Sequence, residues 1–257
     1  MIGNVVVDID GVVLLGGEAV PGAGEALHSL ARAGYRLVVA TNNATRTPQQ
    51  VADRIEAVSG FAFDPSLVIT STIALAGMLH TGDQPVFPTA EEGMALTLRA
   101  RGITLTERPE EAATVAVGQN RAFDYDLLAA ASTAVLRGAR FIASNTDATF
   151  PTPNGVAPGA GAIVAAIERV TGMTAEVAGK PHEPMQAAVA ACLGPGPVWM
   201  VGDRPETDLA FGKAAGWVTV LALSGIVSDP LLVPPEFAPD LVIDSIADLP
   251  ARLDQAR

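Results

Sequence analysis

Val5-Val6-Val7-Asp8-Ile9-Asp10-Gly11 decides how the chain is read. Its apolar part is β-branched and shows no polar alternation. That is the pattern of a strand covered on both faces, as in a parallel sheet. Its polar part sets two carboxylates two residues apart, where the strand runs out into a glycine. Pro21 then opens a helical stretch that reaches Ala33 and stops at Gly34. Residues 36–41 form a second strand, and a helix runs from Pro48 to about Val58. Residues 67–70 read as a third strand, followed by a helix from Ser71 or Thr72 to His80. Strand and helix alternate, which predicts an α/β fold with a doubly wound parallel sheet.

The far end of the chain repeats this style. Residues 183–193 read as a helix, and Val198-Trp199-Met200-Val201 as a buried strand running into Gly202-Asp203. Residues 209–215 are helical and stop at Gly216, 217–223 form a strand, and 241–243 a last short one. Between the two ends lies a segment with its own strands (85–87, 114–117, 140–143) and helices (90–101, 124–136, 161–170). The expected organisation is a core in two parts, 1–80 and 176–257, interrupted by an inserted α/β domain at 81–175. Within the insert, 149–155 is rich in turn formers and is expected as a surface loop.

The chain has 257 residues, 49% of them hydrophobic and 17% charged. A disordered chain would need the opposite balance. The net charge of −12 opposes binding to nucleic-acid phosphates and to anionic membranes, so neither is an expected partner. No apolar run reaches the ~18–20 residues of a membrane span. Met1-Ile2-Gly3-Asn4 does not open a charged-then-apolar leader, so the expectation is a soluble, cytoplasmic protein. The one cysteine, Cys192, has no partner for an internal disulfide and reads as a small buried hydrophobe.

Four stretches hold residues suited to chemistry. Asp8 and Asp10 end an apolar strand, where a charge is costly unless it is paired or binds metal. Alone, the pair fits either a ligand site beyond the strand's carboxyl end or a plain strand-to-loop turn. Thr41-Asn42-Asn43 ends the second strand with a hydroxyl, two amides and fresh backbone N–H groups, which suits an anion or a simple cap. Lys180, in Gly179-Lys180-Pro181, is one of two lysines in the chain; the other, Lys213, reads as a solvated helix residue. Finally, Gly202-Asp203-Arg204-Pro205-Glu206-Thr207-Asp208 carries a carboxylate straight out of a strand and a second five residues on. Asp208 alone could be a helix N-cap. Together the four supply a nucleophile, a second carboxylate, an anion-binding turn, a cation and a further acidic site. Metal-assisted phosphoryl transfer requires that set.

In these four stretches the sequence resembles the haloacid dehalogenase superfamily of phosphohydrolases, and within it subfamily IIA, the NagD-like and 4-nitrophenyl-phosphatase-like enzymes. Asp8-Ile9-Asp10-Gly11-Val12, Thr41-Asn42-Asn43, Gly179-Lys180-Pro181 and Gly202–Asp208 stand as its ordered motifs. The insert matches that subfamily's α/β cap, and Asn145-Thr146-Asp147 and Pro158-Gly159-Ala160-Gly161 resemble features of the cap. The resemblance implies a Rossmann-like core and a phosphomonoesterase acting on a small phosphorylated metabolite: a nucleoside monophosphate, sugar phosphate, glycerol phosphate, pyridoxal phosphate or aryl phosphate. It implies Asp8 as nucleophile, forming an aspartyl phosphate, and Asp10 as the acid and base. It implies Mg²⁺ held by Asp8, the Asp10 carbonyl and Asp203, with Asp208 supporting. Thr41, Asn42 and Asn43 would bind the phosphoryl group and Lys180 would neutralise it. Homodimers through the cap are common among look-alikes.

There are departures from the family's habit. Val13-Leu14-Leu15-Gly16-Gly17 stands where relatives often carry an aromatic and a basic residue, which bears on the leaving group. Phe150 reads as cap packing, Arg46 as a solvated helix-start residue, and His28 and His80 as helical and structural, while His182 could line the site. The alternative class is a non-catalytic phosphometabolite-binding protein on the same fold, which loss of a catalytic group would signal. Gly22-Ala23-Gly24 does not directly follow the first strand and lacks a third glycine, so it fails the dinucleotide fingerprint.

Overall fold

The computed structural model describes residues 2–152 and 155–255. The chain divides into two compact units. One comprises Met1–Thr41, Gln49–Ile69 and Val189–Arg257; the other comprises Asn42–Pro48 and Thr70–Ala188.

The first unit is built on a six-stranded sheet. In chain order its strands are β1 (Gly3–Val7), β4 (Tyr35–Thr41), β5 (Val68–Thr70), β12 (Val198–Gly202), β13 (Val218–Ala222) and β14 (Leu241–Ile243), arranged β14-β13-β12-β1-β4-β5. A small antiparallel hairpin, β2 (Leu14–Leu15) with β3 (Glu18–Ala19), follows β1. All five residues of β1 are buried, which is why its apolar run has no alternation. β1 pairs in parallel with β12 on one side and β4 on the other, with Val7 opposite both Val201 and Val39. This register sends the chain out of all three strands at the same edge of the sheet.

Helices cover the sheet. α1 (Ala23–Arg32) buries Ala23, Ala26, Leu27 and Leu30, spaced as one face of a helix. α2 (Pro48–Ser59) begins on proline, whose missing N–H costs nothing there, and buries Val51, Ala52 and Ile55. Val5, Val7, Leu27, Leu30, Leu37, Val39, Ile55, Val201 and Val220 belong to one apolar cluster. The sequence pattern reads 209–215 as one helix. The structure instead has a single π-helical turn over Pro205–Leu209, then a short α8 (Ala210–Ala214). α9 (Leu249–Gln255) closes the chain.

The second unit has its own parallel sheet: β6 (Val86–Thr89), β7 (Thr114–Val117), β8 (Arg140–Ala143) and β11 (Glu176–Val177), in the order β11-β8-β7-β6. Its helices are α3 (Ser71–Gly77), α4 (Glu92–Ala100), α5 (Tyr125–Leu136) and α6 (Ala160–Thr171). α7 (Glu183–Ala190) spans the division between the units. Phe87, Val115, Val117, Phe141, Ile163 and Ile167 form the second unit's core. Asp124 caps α5 by accepting from the Leu127 N–H, as its place before the apolar run suggests.

Three local expectations change. The surface loop at 149–155 is instead an antiparallel hairpin, β9 (Thr149–Thr152) with β10 (Gly155–Pro158); Pro153 and Asn154 lie outside the described residues. His80 is not helical, because α3 stops at Gly77; the His80 backbone N–H donates to Asp83 Oδ2 at the next turn. Cys192 is half-buried, with its thiol 3.7 Å from the Ser66 carbonyl. His28 lies in α1 as expected, against the Gly60 carbonyl and the edge of Phe61. Among the described residues no helix is long and apolar enough to cross a membrane.

Arg140 ties the second unit's sheet edge to the chain before β6. It donates to Glu176, Asp83 and the Met78 carbonyl. The hydrogen bond from Arg140 holds the Glu176 carboxyl below its ordinary range. A depressed carboxyl contributes stability above its unfolded pKa and loses it as pH falls through the folded one. The pair is half exposed, so its worth at neutral pH is about 0.2–1 kcal/mol. Glu176→Gln is therefore expected to lower stability by about that amount at pH 7, and progressively less as the pH falls through the depressed folded pKa. Chemical denaturation of wild type and variant across that range checks it; an equal loss at both ends would refute the ionic origin.

Candidate active site

In the first unit, Asp8 directly follows β1, and its backbone N–H donates to the Val201 carbonyl of β12. The sheet's hydrogen bonding therefore continues into this candidate residue and fixes its main chain. Asp8 is buried, although Asp10, two residues on, is exposed. Between and beyond them the chain coils tightly, with the N–H groups of Val12, Val13 and Leu14 all directed at the Ile9 carbonyl. Gly11 takes φ +95°, a left-handed conformation that suits glycine. A side chain there would also strike Asp203, since a Cβ would lie 2.3 Å from its Oδ2.

Asp203 follows β12, and it too is buried. The Ile226 N–H donates to its Oδ2 at 2.8 Å. Asp208 sits in the π-helical turn and points back, with Oδ2 accepting from the Asp203 and Arg204 N–H groups at 3.1 Å each. It thus caps the loop that carries Asp203, a different task from the helix N-cap the sequence allows. Asp8, Asp203 and Asp208 each offer a carboxylate oxygen within 4.8 Å of the others, and all three residues are buried. Like charges this close repel one another, and burial adds to the cost. A multivalent cation removes both penalties. Three carboxylates form an all-oxygen donor set, suited to a hard divalent cation such as Mg²⁺ or Ca²⁺. The glycine at position 11 leaves the space against Asp203 that a Cβ would fill. The residues therefore fit a divalent metal, with Asp10 outside this carboxylate cluster.

Thr41 ends β4 and is buried. The turn after it belongs to the second unit, and there the two amide side chains are spent on framework. Asn42 Oδ1 accepts from the Lys180 N–H at 2.8 Å, and Asn42 Nδ2 donates to the Lys180 carbonyl at 3.2 Å. The same nitrogen lies 3.2 and 3.3 Å from the two oxygens of Asp147. The Asn42 carbonyl accepts from Ser71 Oγ and Asn145 Nδ2. Asn43 Oδ1 accepts from the Thr45 N–H and hydroxyl, an Asx-type turn. Lys180 is buried and its main chain is held through Asn42. A Cβ on Gly179 would come 2.5 Å from Asn42 Oδ1, so this motif's glycine is needed for close approach.

The structure thus brings Asp8, Asp203 and Asp208 together in one unit, and Asn42 and Lys180 together in the other. His182 is exposed, with its ring nitrogen against the Gly179 carbonyl. Lys213 is exposed on α8, and Phe150 and Arg46 are half-buried. Sequence reasoning gave no hint of Ser71, which holds the phosphate-turn candidate, or of Ile226, which holds Asp203 through its main chain. It noted Asn145 and Asp147 without assigning them a task.

Residues 5–104 match the family described as haloacid dehalogenase-like hydrolase, and residues 177–249 match a second model of HAD-like hydrolases. Dihydroxyacetone phosphatase of Corynebacterium glutamicum is 35% identical over 94% of this chain and 88% of its own. Ribonucleotide monophosphatase NagD of Escherichia coli is 33% identical over 96% of this chain and 97% of its own. Among solved structures, p-nitrophenyl phosphatase from Archaeoglobus fulgidus superposes with a TM-score of 0.90 at 32% identity, covering 97% of this chain and 98% of that one.

The Asn42 network makes its own prediction. Asn42→Asp replaces the Nδ2 donor by an acceptor facing the Asp147 carboxylate and the Lys180 carbonyl. A buried lost donor and a like charge together are expected to cost about 2–4 kcal/mol. Thermal denaturation at pH 7 measures it, and a melting temperature equal to wild type would show that the network carries no weight.

Proposed function

Since this chain belongs to the haloacid dehalogenase-like hydrolases, in the NagD and nitrophenyl-phosphatase branch of subfamily IIA, and is a phosphoric monoester hydrolase, we propose that it cleaves small phosphorylated metabolites with Mg²⁺ and an aspartyl-phosphate intermediate. The observation that carries the reading is the cluster of three buried carboxylates beside the end of β1.

In this proposal an Asp8 carboxylate oxygen attacks phosphorus, and the bond from phosphorus to the leaving oxygen breaks. Asp10, exposed two residues on, gives that oxygen its proton and then takes one from the water that hydrolyses the acyl phosphate. Asp8, the Asp10 carbonyl and Asp203 are the proposed holders of Mg²⁺, with Asp208 supporting them. When bound, the metal would supply the positive charge that lets an anionic nucleophile approach an anionic phosphate. Thr41 and the main chain of Asn42 and Asn43 are the proposed phosphoryl-binding groups, with Lys180 as neutralising charge. The transferring group spreads its charge over its oxygens, so fixed donors and cations do most of the work. The segment at 81–175 is proposed as the cap that selects the leaving group. The relatives' names point to a triose phosphate, ribonucleotides and an aryl phosphate, so the substrate is sought within that range.

The test is phosphate release from a panel of dihydroxyacetone phosphate, glycerol phosphate, sugar phosphates, nucleoside monophosphates, pyridoxal phosphate and an aryl phosphate. Asp8→Asn is expected to lower kcat by about 10³-fold or more with little change in melting temperature. Chelation is expected to abolish turnover and added Mg²⁺ to restore it. Turnover retained by Asp8→Asn would remove the nucleophile, and indifference to chelation would remove the metal.

A further inference from the structure

The loop after β13 approaches Asp203 more closely than any chemistry of its side chains would suggest. β13 is parallel to β12, with Leu221 opposite Gly202, so both strands deliver their following loops at one sheet edge. The loop begins Leu223-Ser224-Gly225-Ile226. Two hydrogen bonds and one close approach hold it beside Asp203. Ser224 Oγ donates to the Gly11 carbonyl at 2.7 Å. The Ile226 N–H donates to Asp203 Oδ2 at 2.8 Å. Gly225 lies between them, where a Cβ would fall 2.1 Å from Asp203 Oδ2 and 2.5 Å from its Cβ. Gly11 faces it: a Cβ on Gly11 would meet the Gly225 Cα at 3.0 Å as well as the carboxylate. Two glycine backbones therefore close on one buried carboxylate, and the N–H that fixes its orientation comes from the next residue.

We propose that Ser224, Gly225 and Ile226 form a positioning strap that fixes the Asp203 carboxylate and thereby sets the divalent-metal affinity of the Asp8–Asp203–Asp208 cluster. The inference rests on the proposed metal-dependent reaction. A carboxylate held in place by a partner outside the metal site loses less rotational freedom when the cation binds, and such partners commonly govern affinity by about 10–100-fold. The strap uses a main-chain donor, so Ile226 matters through its amide and not its side chain. Ser224 matters because its hydroxyl pins the strap to Gly11, beside the proposed nucleophile's turn. None of the three is proposed to touch substrate.

The test is calorimetric titration of the metal-free full chain with Mn²⁺ and with Mg²⁺, without substrate, alongside metal-free melting temperatures. Ser224→Ala is expected to weaken metal binding about 10-fold while Ser224→Thr, which keeps the hydroxyl, stays near wild type. Gly225→Ala is expected to weaken it by up to about 100-fold, and the metal-induced rise in melting temperature should shrink with it. Gly77→Ala, at the end of α3 with no atom within 4 Å of the added Cβ, is the control and should bind metal as wild type does. Should Gly225→Ala fail to fold, the Ser224 pair still decides the matter. Wild-type affinity in Ser224→Ala and Gly225→Ala, with lower melting temperatures alone, would reduce the strap to packing and leave the phosphatase reading intact. A wild-type chain that binds neither ion would overturn the metal-dependent reading itself, and the strap with it.

Discussion

A repulsion organises this molecule. Asp8, Asp203 and Asp208 bring carboxylate oxygens within 4.8 Å of one another in buried surroundings. Left to themselves, three such like charges would move apart. The fold prevents the separation by parallel strand pairing: β1 lies directly beside β12, although nearly two hundred residues of chain intervene. Register then does the placing. With Val7 opposite Val201, the residues that follow each strand emerge together, and the Asp8 N–H is still bonded to the Val201 carbonyl. The uninterrupted valines of β1 suit this central place, because helices cover both faces of a parallel sheet there. What the apolar core stabilises is, in effect, a close arrangement of carboxylates whose donor set fits a divalent cation.

Much of this could be read from the sequence, and for identifiable reasons. A β-branched run ending in Asp-x-Asp-Gly reports both a buried strand and the carboxylates at its end, so β1 and the place of Asp8 beside it were legible together. Helices with a clean apolar stripe, such as α1 and α2, were legible within a residue or two. Elements whose cause is tertiary were not. The π-helical turn at Pro205–Leu209 exists because the Asp208 side chain folds back onto the N–H groups of residues 203 and 204, and no periodicity announces it. The hairpin of β9 and β10 hid behind Pro151 and Gly155, which are turn formers by composition yet pair across a two-stranded ladder. His80 fell outside α3 because that helix already ends at Gly77, and the His80 N–H donates instead to the Asp83 carboxylate of the next turn.

The candidate site was legible to a similar depth. Acidic residues at strand ends declare themselves by their cost, as Asp203 did, while Asp208 was noticed by its place five residues on. The amides of Asn42 and Asn43 look in sequence like ligands for an anion. In the structure their side chains bond to Lys180, Asp147 and Thr45, so the phosphate contact proposed for that turn falls to its main chain. The distinction matters physically. An amide that both donates to and accepts from the main chain of Lys180 acts as a bracket, and its replacement changes where the lysine's backbone lies before it changes any charge.

The same logic explains why the restraint on Asp203 was invisible. Its donor is a backbone N–H, and a backbone N–H is supplied by any residue except proline. Sequence identity at position 226 is then almost uninformative about a contact made by that residue. The information moves to the positions that must stay small so that the main chain can approach. At Gly11 and Gly225 a Cβ would lie within 2.3 Å of Asp203 Oδ2, and at Gly202 it would lie 2.1 Å from the Asp208 Cβ. Reading such a site from sequence therefore means weighing its glycines as heavily as its carboxylates. The carboxylates show what charge is present; the glycines show how closely the backbone encloses it, and that closeness decides whether the carboxylates meet a cation already in position or must first be brought there.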